Sequence, residues 1–193
     1  NVSFSSLMNK LKPAIIGATG AAGQNLVMYL ETHPWFDLPA LAASGRSAGK
    51  RYRDAIEGRS FFERPPKEEM LEERVLNIDG IDTSAFDLVF SALPAEVAKN
   101  AEPVFAKSLP VISTASAFRY EDDVPIIVPG VNGEHAELIR RQKERRGWNG
   151  FIAPIPNCTA TGLVISLRPI YDEFGIDSIH MVSMQALSGA GEK

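Results

Sequence analysis

The sequence predicts an α/β fold: a doubly wound, mostly parallel sheet. Three observations carry this. Short apolar runs alternate with helical stretches along the chain and are joined by short links. The first run, "KPAIIGATG", is apolar at consecutive positions, as a strand buried on both faces must be, and it ends in a glycine turn. A helical stretch opens directly behind that turn. No internal repeat or low-complexity tract interrupts the pattern.

After the first strand comes the helix "AAGQNLVMYLETH", with Leu26, Val27 and Leu30 on one face. "LPALAAS" (38–44) is a second short strand. Residues 50–73 are charged, and Pro65-Pro66 forbids a regular element there, so this stretch is expected to be irregular. "ERVLNI" is a candidate strand. "DLVFSALP" (87–94) is a stronger one, stopped by Pro94, with a helix from Ala95 to about Lys107. "PVIST" is the next strand, "GEHAELIRRQKERRG" a helix closed by Gly147, and "GFIAPIPN" an extended segment. From Thr159 to Phe174, the residues Leu163, Val164, Leu167, Ile170, Tyr171 and Phe174 form one stripe at the helical period. Gly175 closes that helix, where a left-handed residue is common. "IDSIHMVSMQALSGAG" reads as a long strand running into a glycine turn.

Composition narrows the function. Apolar residues make up 45% and charged residues 23% of 193, which is an ordinary globular balance. Twenty basic residues against twenty-four acidic give a net charge of −4, which argues against a nucleic-acid or anionic-membrane partner. No apolar run reaches membrane-spanning length. The single cysteine excludes an intramolecular disulfide and any all-cysteine metal site, and a reducing, cytoplasmic compartment is the default. His33, His135 and His180 have no metal-ligand spacing with one another or with Cys158, so no metal site is expected. His33 and His135 read as surface residues. His180 falls in the last strand, within reach of the site, though an ordinary strand position is the plainer reading. The basic run Arg140–Arg146 reads as a solvated helix face with local ion pairs from Glu137 and Glu144.

Three stretches carry chemistry. Gly17-Ala-Thr-Gly20-Ala-Ala-Gly23 ends a strand and opens a helix. Glycines there let backbone approach a pyrophosphate, and the helix N-terminus supplies free amides and the positive end of a dipole. The competing reading is a tight turn with no ligand. At the end of the second strand, an acidic residue would bind the ribose 2′-hydroxyl of NAD. Ser44-Gly-Arg46-Ser47 stands there instead, with Lys50 close behind. Guanidinium and hydroxyls suit a 2′-phosphate, which favours NADP over a merely solvated basic turn. Finally, Cys158 stands directly before the amphipathic helix, which Asn157 or Thr159 is placed to cap. Helix N-termini stabilise anions, so a thiolate is favoured there and is a better nucleophile. A small buried hydrophobe is the alternative.

"GATGAAGQ", "ASGRSAGKRY", "DLVFSALP", "STASAFR", "VPIIVPGVN", "PNCTATGL" and "MQALSGAG" together resemble the aspartate-semialdehyde dehydrogenase family, in its archaeal and fungal flavour, over residues 11–191. The resemblance implies a Rossmann-type NADP-binding domain at residues 1–157, and at 158–193 the start of a second, α+β catalytic and dimerisation domain. It implies NADP-linked conversion of 4-phospho-aspartate to aspartate semialdehyde with release of phosphate, on the route to lysine, threonine and methionine. Cys158 is then the nucleophile that forms a thioester, with Gln185 helping to hold the acyl group. Arg119 pairs with the substrate phosphate, and Asn157 flanks the cysteine. Gly17, Thr19, Gly20, Ala21, Ala22 and Gly23 line the pyrophosphate, while Ser44, Arg46 and Ser47 meet the 2′-phosphate. Ser91, Ala92 and Leu93 run along the nucleotide, and Gly189 and Gly191 lie near the nicotinamide.

Partners implied are the small acyl-phosphate or aldehyde substrate, phosphate and, in the full-length protein, a homo-oligomer. Thr114 stands where the family has asparagine in "SNAS", and Gly130 where it has glutamate in "VPEVN". Family members continue beyond "SGAG", with the catalytic histidine and substrate-gripping residues in that part, so this chain is expected to be an N-terminal portion that is inactive alone. Archaeal malonyl-CoA reductase uses the same cysteine and NADP and is the alternative within the class. A non-catalytic NADP-binding module is the alternative outside it.

Overall fold

A computed structural model describes residues 10–184 of the chain. Six strands form one parallel sheet: β1 (Pro13–Ile16), β2 (Ala40–Ala43), β3 (Leu76–Asn77), β4 (Leu88–Ser91), β5 (Pro110–Ser113) and β6 (Phe151–Pro154), in the order β3-β2-β1-β4-β5-β6. The central strand β1 is buried at every residue, which explains its unbroken apolar run. It pairs on one side with β2, Ile15 opposite Leu41, and on the other with β4, Ile15 opposite Phe90. Strand order therefore reverses between β1 and β4, and in open α/β sheets ligands bind outside the carboxyl ends of the strands at such a point.

Because side chains alternate across a strand, β1 feeds two cores. Ala14 and Ile16 pack with Val89, Val111, Ile152 and, from the helix α4 (Ala95–Ala106), Phe105 and Ala106. Ile15 packs on the opposite face with Leu41, Val75 and Val27 of the helix α1 (Ala21–Leu30). Helices on both faces make the fold doubly wound, as the alternation of elements requires.

Residues 50–73 depart from the expected irregularity. Two short helices form there, α2 (Tyr52–Ala55) and α3 (Glu68–Glu72). Each is pinned by one fully buried side chain, Tyr52 and Met70. Such brief helices leave no periodic stripe for the sequence to show. Arg51 pairs with Asp54 and Glu72, and Arg53 with Glu68 and Glu72, across the two helices. Pro65 and Pro66 lie outside both, as expected.

The helix α5 (Leu138–Arg146) follows a 3₁₀ turn at Gly133–Glu137 and ends at Gly147, whose φ of 65° is left-handed. Its expected local ion pairs are replaced by longer ones. Arg146 reaches Glu121 and Asp123 on the preceding loop, while Glu137 and Glu144 join no ion pair among the described residues.

The helix α6 spans Cys158–Phe174 and ends at Gly175, at φ 70° and ψ 170°; the φ is positive, but the backbone is not in the αL well. Its apolar stripe is only half covered. Leu163, Val164 and Leu167 are half-buried, while Ile170, Tyr171 and Phe174 are exposed. The long strand expected beyond it does not form at 176–184, which has no regular structure. Alternating residues supply a face, but a strand exists only through pairing, and no described strand lies beside this segment. His180 is thus an exposed residue of an irregular segment, not of a strand. Among the described residues no helix is long and apolar enough to cross a membrane.

Candidate active site

The turn after β1 is built on close approach of backbone to backbone. Gly17 has φ +81°, and a Cβ there would stand 2.6 Å from the carbonyl oxygen of Ala92 at the end of β4. A Cβ on Gly23 would stand 2.2 Å from the carbonyl oxygen of Gly17. Only glycine lets helix, turn and neighbouring strand approach this closely. Gly20 precedes α1 without a side chain to cap it, so the first-turn amides of Ala21, Ala22 and Gly23 have no side-chain cap from it.

Two residues support this turn from below, and sequence reasoning gave them no role. Gln24, fully buried, donates from Nε2 to the carbonyls of Thr19 and Arg59 and accepts from the Phe61 amide at Oε1. The Tyr52 hydroxyl donates to the carbonyl of Ala18 at 2.8 Å. Burial pushes its phenol far above the ordinary value, so the donor is permanent. A polar Gln on a helix face that points inward was the only sequence signal. Tyr52 carried none, because its partner is thirty-four residues away.

Beyond β2, Ser44 and Arg46 are exposed and Ser47 is half-buried. The turn closes through Ser47 N–H donating to the Ser44 carbonyl at 2.9 Å, and Gly49 N–H donates to the Val75 carbonyl. Beyond β4, Ala92 and Leu93 are half-buried beside the glycine turn, whereas Ser91 is fully buried beneath the strand end.

Cys158 is exposed and is the first residue of α6. Of the two capping candidates Asn157 is the cap: its Oδ1 accepts from the amides of Thr159 at 2.9 Å and Ala160 at 3.3 Å. The cysteine therefore sits on a capped helix end rather than in the core. Arg119 spans the two loops beside it, donating from Nε to the Ile155 carbonyl at 3.0 Å and from Nη2 to the Thr114 carbonyl at 3.2 Å. Of its five N–H groups, the rest remain for a ligand.

These parts meet. One open cleft of about 990 Å³ is lined by Ala22 of the glycine turn, Thr114, Ser116, Arg119, Asn157 and Cys158, among others. The N-termini of α1 and α6 thus face a common space. Thr114 and Ser116 are additions that the sequence did not single out for the site. Gln185, Gly189 and Gly191 lie outside the described residues. No group of three His, Cys, Asp or Glu side chains among the described residues is placed to hold a metal ion.

A parallel sheet with a glycine turn at its switch point and a cysteine on a helix end across the same cleft defines a dinucleotide-binding class of domain. Residues 12–139 match the model of the semialdehyde dehydrogenase NAD-binding domain, and the chain belongs to that family. It is 45% identical over 177 residues to an aspartate-semialdehyde dehydrogenase of Methanothermobacter thermautotrophicus, covering 92% of this chain and 50% of the relative. It is 40% identical over 182 residues to a malonyl-CoA reductase (NADP) of Metallosphaera sedula, covering 94% of this chain and 50% of that one. Its fold is similar to the crystal structure of aspartate semialdehyde dehydrogenase with NADP from Candida albicans, with TM-score 0.76 and 36% identity over 87% of this chain and 48% of the other. The chain spans about half the length of the curated relatives it matches.

Proposed function

We propose that this chain is the dinucleotide-binding and nucleophile-bearing part of an NADP-dependent aspartate-semialdehyde dehydrogenase. Residues up to 157 serve the dinucleotide, and those from Cys158 onward open the part that handles substrate. The observation that carries this is the single cleft shared by Ala22, Arg119 and Cys158. A hydride donor held on the α1 turn and an acyl group held on Cys158 would face one another there.

The residues fit NADP. The Gly17–Gly23 turn offers bare backbone and uncapped amides to a pyrophosphate. Ser44 and Arg46 are exposed at the end of β2, where a 2′-phosphate would lie, and no carboxylate occupies those turn positions. When bound, the reduced dinucleotide supplies the hydride. Everything else falls to the chain. The Cys158 sulfur attacks the acyl carbon of an acyl phosphate, and the C–O bond to phosphate breaks with its electron pair going to the departing phosphate. The free N–H groups of Arg119 hold that phosphate. The capped N-terminus of α6 holds the sulfur exposed at the cleft, both for attack and for release of the product aldehyde. These relatives share the reaction's logic with a malonyl-CoA reductase, in which the leaving group is a thiolate, and that is the second reading.

The test is kinetic. The full-length gene product is assayed with NADPH and either 4-phospho-aspartate or malonyl-CoA, and in reverse with aspartate semialdehyde, NADP and phosphate. Turnover of the aspartyl substrates, lost in Cys158→Ala, supports the proposal. Turnover of malonyl-CoA alone moves the assignment to the second reading. NADPH binding with no turnover of either, and an unreactive Cys158, leaves only a binding module.

A further inference from the structure

Glu102 is a carboxylate on α4 with no exposed surface at all, and no part of the proposed chemistry uses it. Its Oε1 accepts from the hydroxyl of Ser113 at 2.5 Å. Ser113 ends β5, and the same Oγ accepts from the amide of Ala115 at 3.0 Å. The Ser113 carbonyl accepts from the amide of Ile155 at 2.8 Å. Ile155 in turn gives its carbonyl to Arg119, which also holds Thr114, and the Thr114 amide donates to the carbonyl of Ser91. Glu102 therefore stands at the root of a chain of hydrogen bonds that ends on the cleft's arginine. It has no cationic partner among the described residues, and Oε2 and the hydroxyl of Ser91 have no hydrogen-bond partner.

We propose that Glu102 is a positioning residue for the cleft: through Ser113 it fixes the segment 114–119, and so sets where Arg119 presents its free N–H groups beside Cys158. This deepens the function proposed above and rests on it for the role of Arg119. Glu102 acts as a hydrogen-bond acceptor, not as a charge. A lone buried carboxylate is strongly disfavoured, whereas a neutral acid keeps the acceptor oxygen that Ser113 needs. Burial accordingly pushes the carboxyl above the usual range, with the Ser113 hydroxyl pulling it partly back.

The test uses the full-length gene product with Glu102→Gln, Glu102→Ala and Ser113→Ala. Val27→Ala, in the core on the sheet's other face, controls for general loss of stability. Amide hydrogen exchange of residues 114–119 is compared with global exchange. Alkylation of Cys158 by iodoacetamide is titrated with inorganic phosphate as a shield. Glu102→Ala and Ser113→Ala are expected to speed exchange in the segment, and to raise the half-shielding phosphate concentration, about tenfold each, the factor one lost hydrogen bond supports. Glu102→Gln, which keeps an acceptor oxygen, stays within about twofold of wild type on the same grounds, and Val27→Ala leaves segment and global rates in their wild-type ratio. Wild-type exchange in 114–119 for Ser113→Ala overturns the proposal, as does a Gln variant as loose as the Ala variant. If Glu102→Ala does not fold, Ser113→Ala and Glu102→Gln decide alone. Should the segment loosen as expected while phosphate fails to shield Cys158 even in wild type, the positioning role stands and the phosphate role of Arg119 falls.

Discussion

Arg119 donates from Nε to the carbonyl of Ile155, three residues ahead of Cys158, at 3.0 Å. This one bond joins the loop after β5 to the loop before α6 and makes them a single wall of the cleft. The same guanidinium closes its own loop on Thr114. Arg119 is thus a strut, and its unused N–H groups are the ones that the proposed function assigns to an anion.

Arg119→Ala is expected to raise the apparent constants for phosphorylated substrate and for inorganic phosphate together. A hydrogen bond from a charged donor contributes about 1.5–3 kcal/mol, so the rise should be roughly tenfold to hundredfold. Arg119→Lys should recover little of it, because an ammonium cannot bridge Ile155 and Thr114 in a planar fork. Steady-state kinetics of the full-length gene product with varied phosphate checks this. An unchanged phosphate dependence would remove Arg119 from the anion site.

Gly23→Ala tests the glycine turn. The added Cβ would stand 2.2 Å from the Gly17 carbonyl oxygen, which is backbone and has nowhere to go while Gly17 is held against Ala92. Forcing one methyl group into such a site costs about 1–3 kcal/mol. Urea unfolding should show that loss, and a fluorescence titration should show weakened NADPH binding in the same variant. Gly20→Ala is the contrast: its Cβ would meet nothing nearer than 3.7 Å, so stability should hold.

Much of this molecule was legible in the sequence. The order of strands and helices follows from apolar runs, and β1 announces its double burial by having no polar position. The helix of Cys158 followed from six residues at one period. What failed to show were contacts between distant residues. Gln24 and Tyr52 serve the glycine turn through partners set by the fold, and Glu102 looked like any helix glutamate until α4 turned it under β4 and β5. The tail at 176–184 was misread for the opposite reason. Its alternation is local, but strand formation depends on a neighbouring ladder.

Arg46→Ala bears on cofactor choice. Arg46 is exposed on the turn after β2 and spends no described hydrogen bond on the protein, so it is available to a 2′-phosphate. Removing that charge-assisted bond should weaken NADP binding by about 1.5–3 kcal/mol and leave NAD binding unchanged. Calorimetric titration with both cofactors measures the difference. Equal affinities in the wild-type protein would contradict the 2′-phosphate role.

The pH dependence of stability should carry two opposed signatures. The Arg146 guanidinium, hydrogen-bonded to Asp123 through two atoms at 2.6 Å each, holds that carboxyl below its ordinary value of 3.8. Its contribution is present above that value and is lost as pH falls through the still lower folded value. Asp123→Asn breaks a pair whose acid is buried and whose base is 20% exposed, so the loss at neutral pH should lie toward the lower end of about 3–5 kcal/mol and shrink on acidification. Glu102 runs the other way. Burial raises its carboxyl above the ordinary 4.5, so the folded state binds the proton more tightly than the unfolded one. Its contribution is full below that value and is lost as pH rises through the raised folded value. Glu102→Gln cannot ionise, and relative to wild type it should gain stability as pH climbs above the ordinary 4.5 and through the raised folded value. Urea unfolding midpoints of both variants, each subtracted from wild type across this range, give the two slopes. A flat difference for Glu102→Gln would mean that Glu102 keeps its ordinary acidity in the fold, and would overturn its reading as a neutral acceptor.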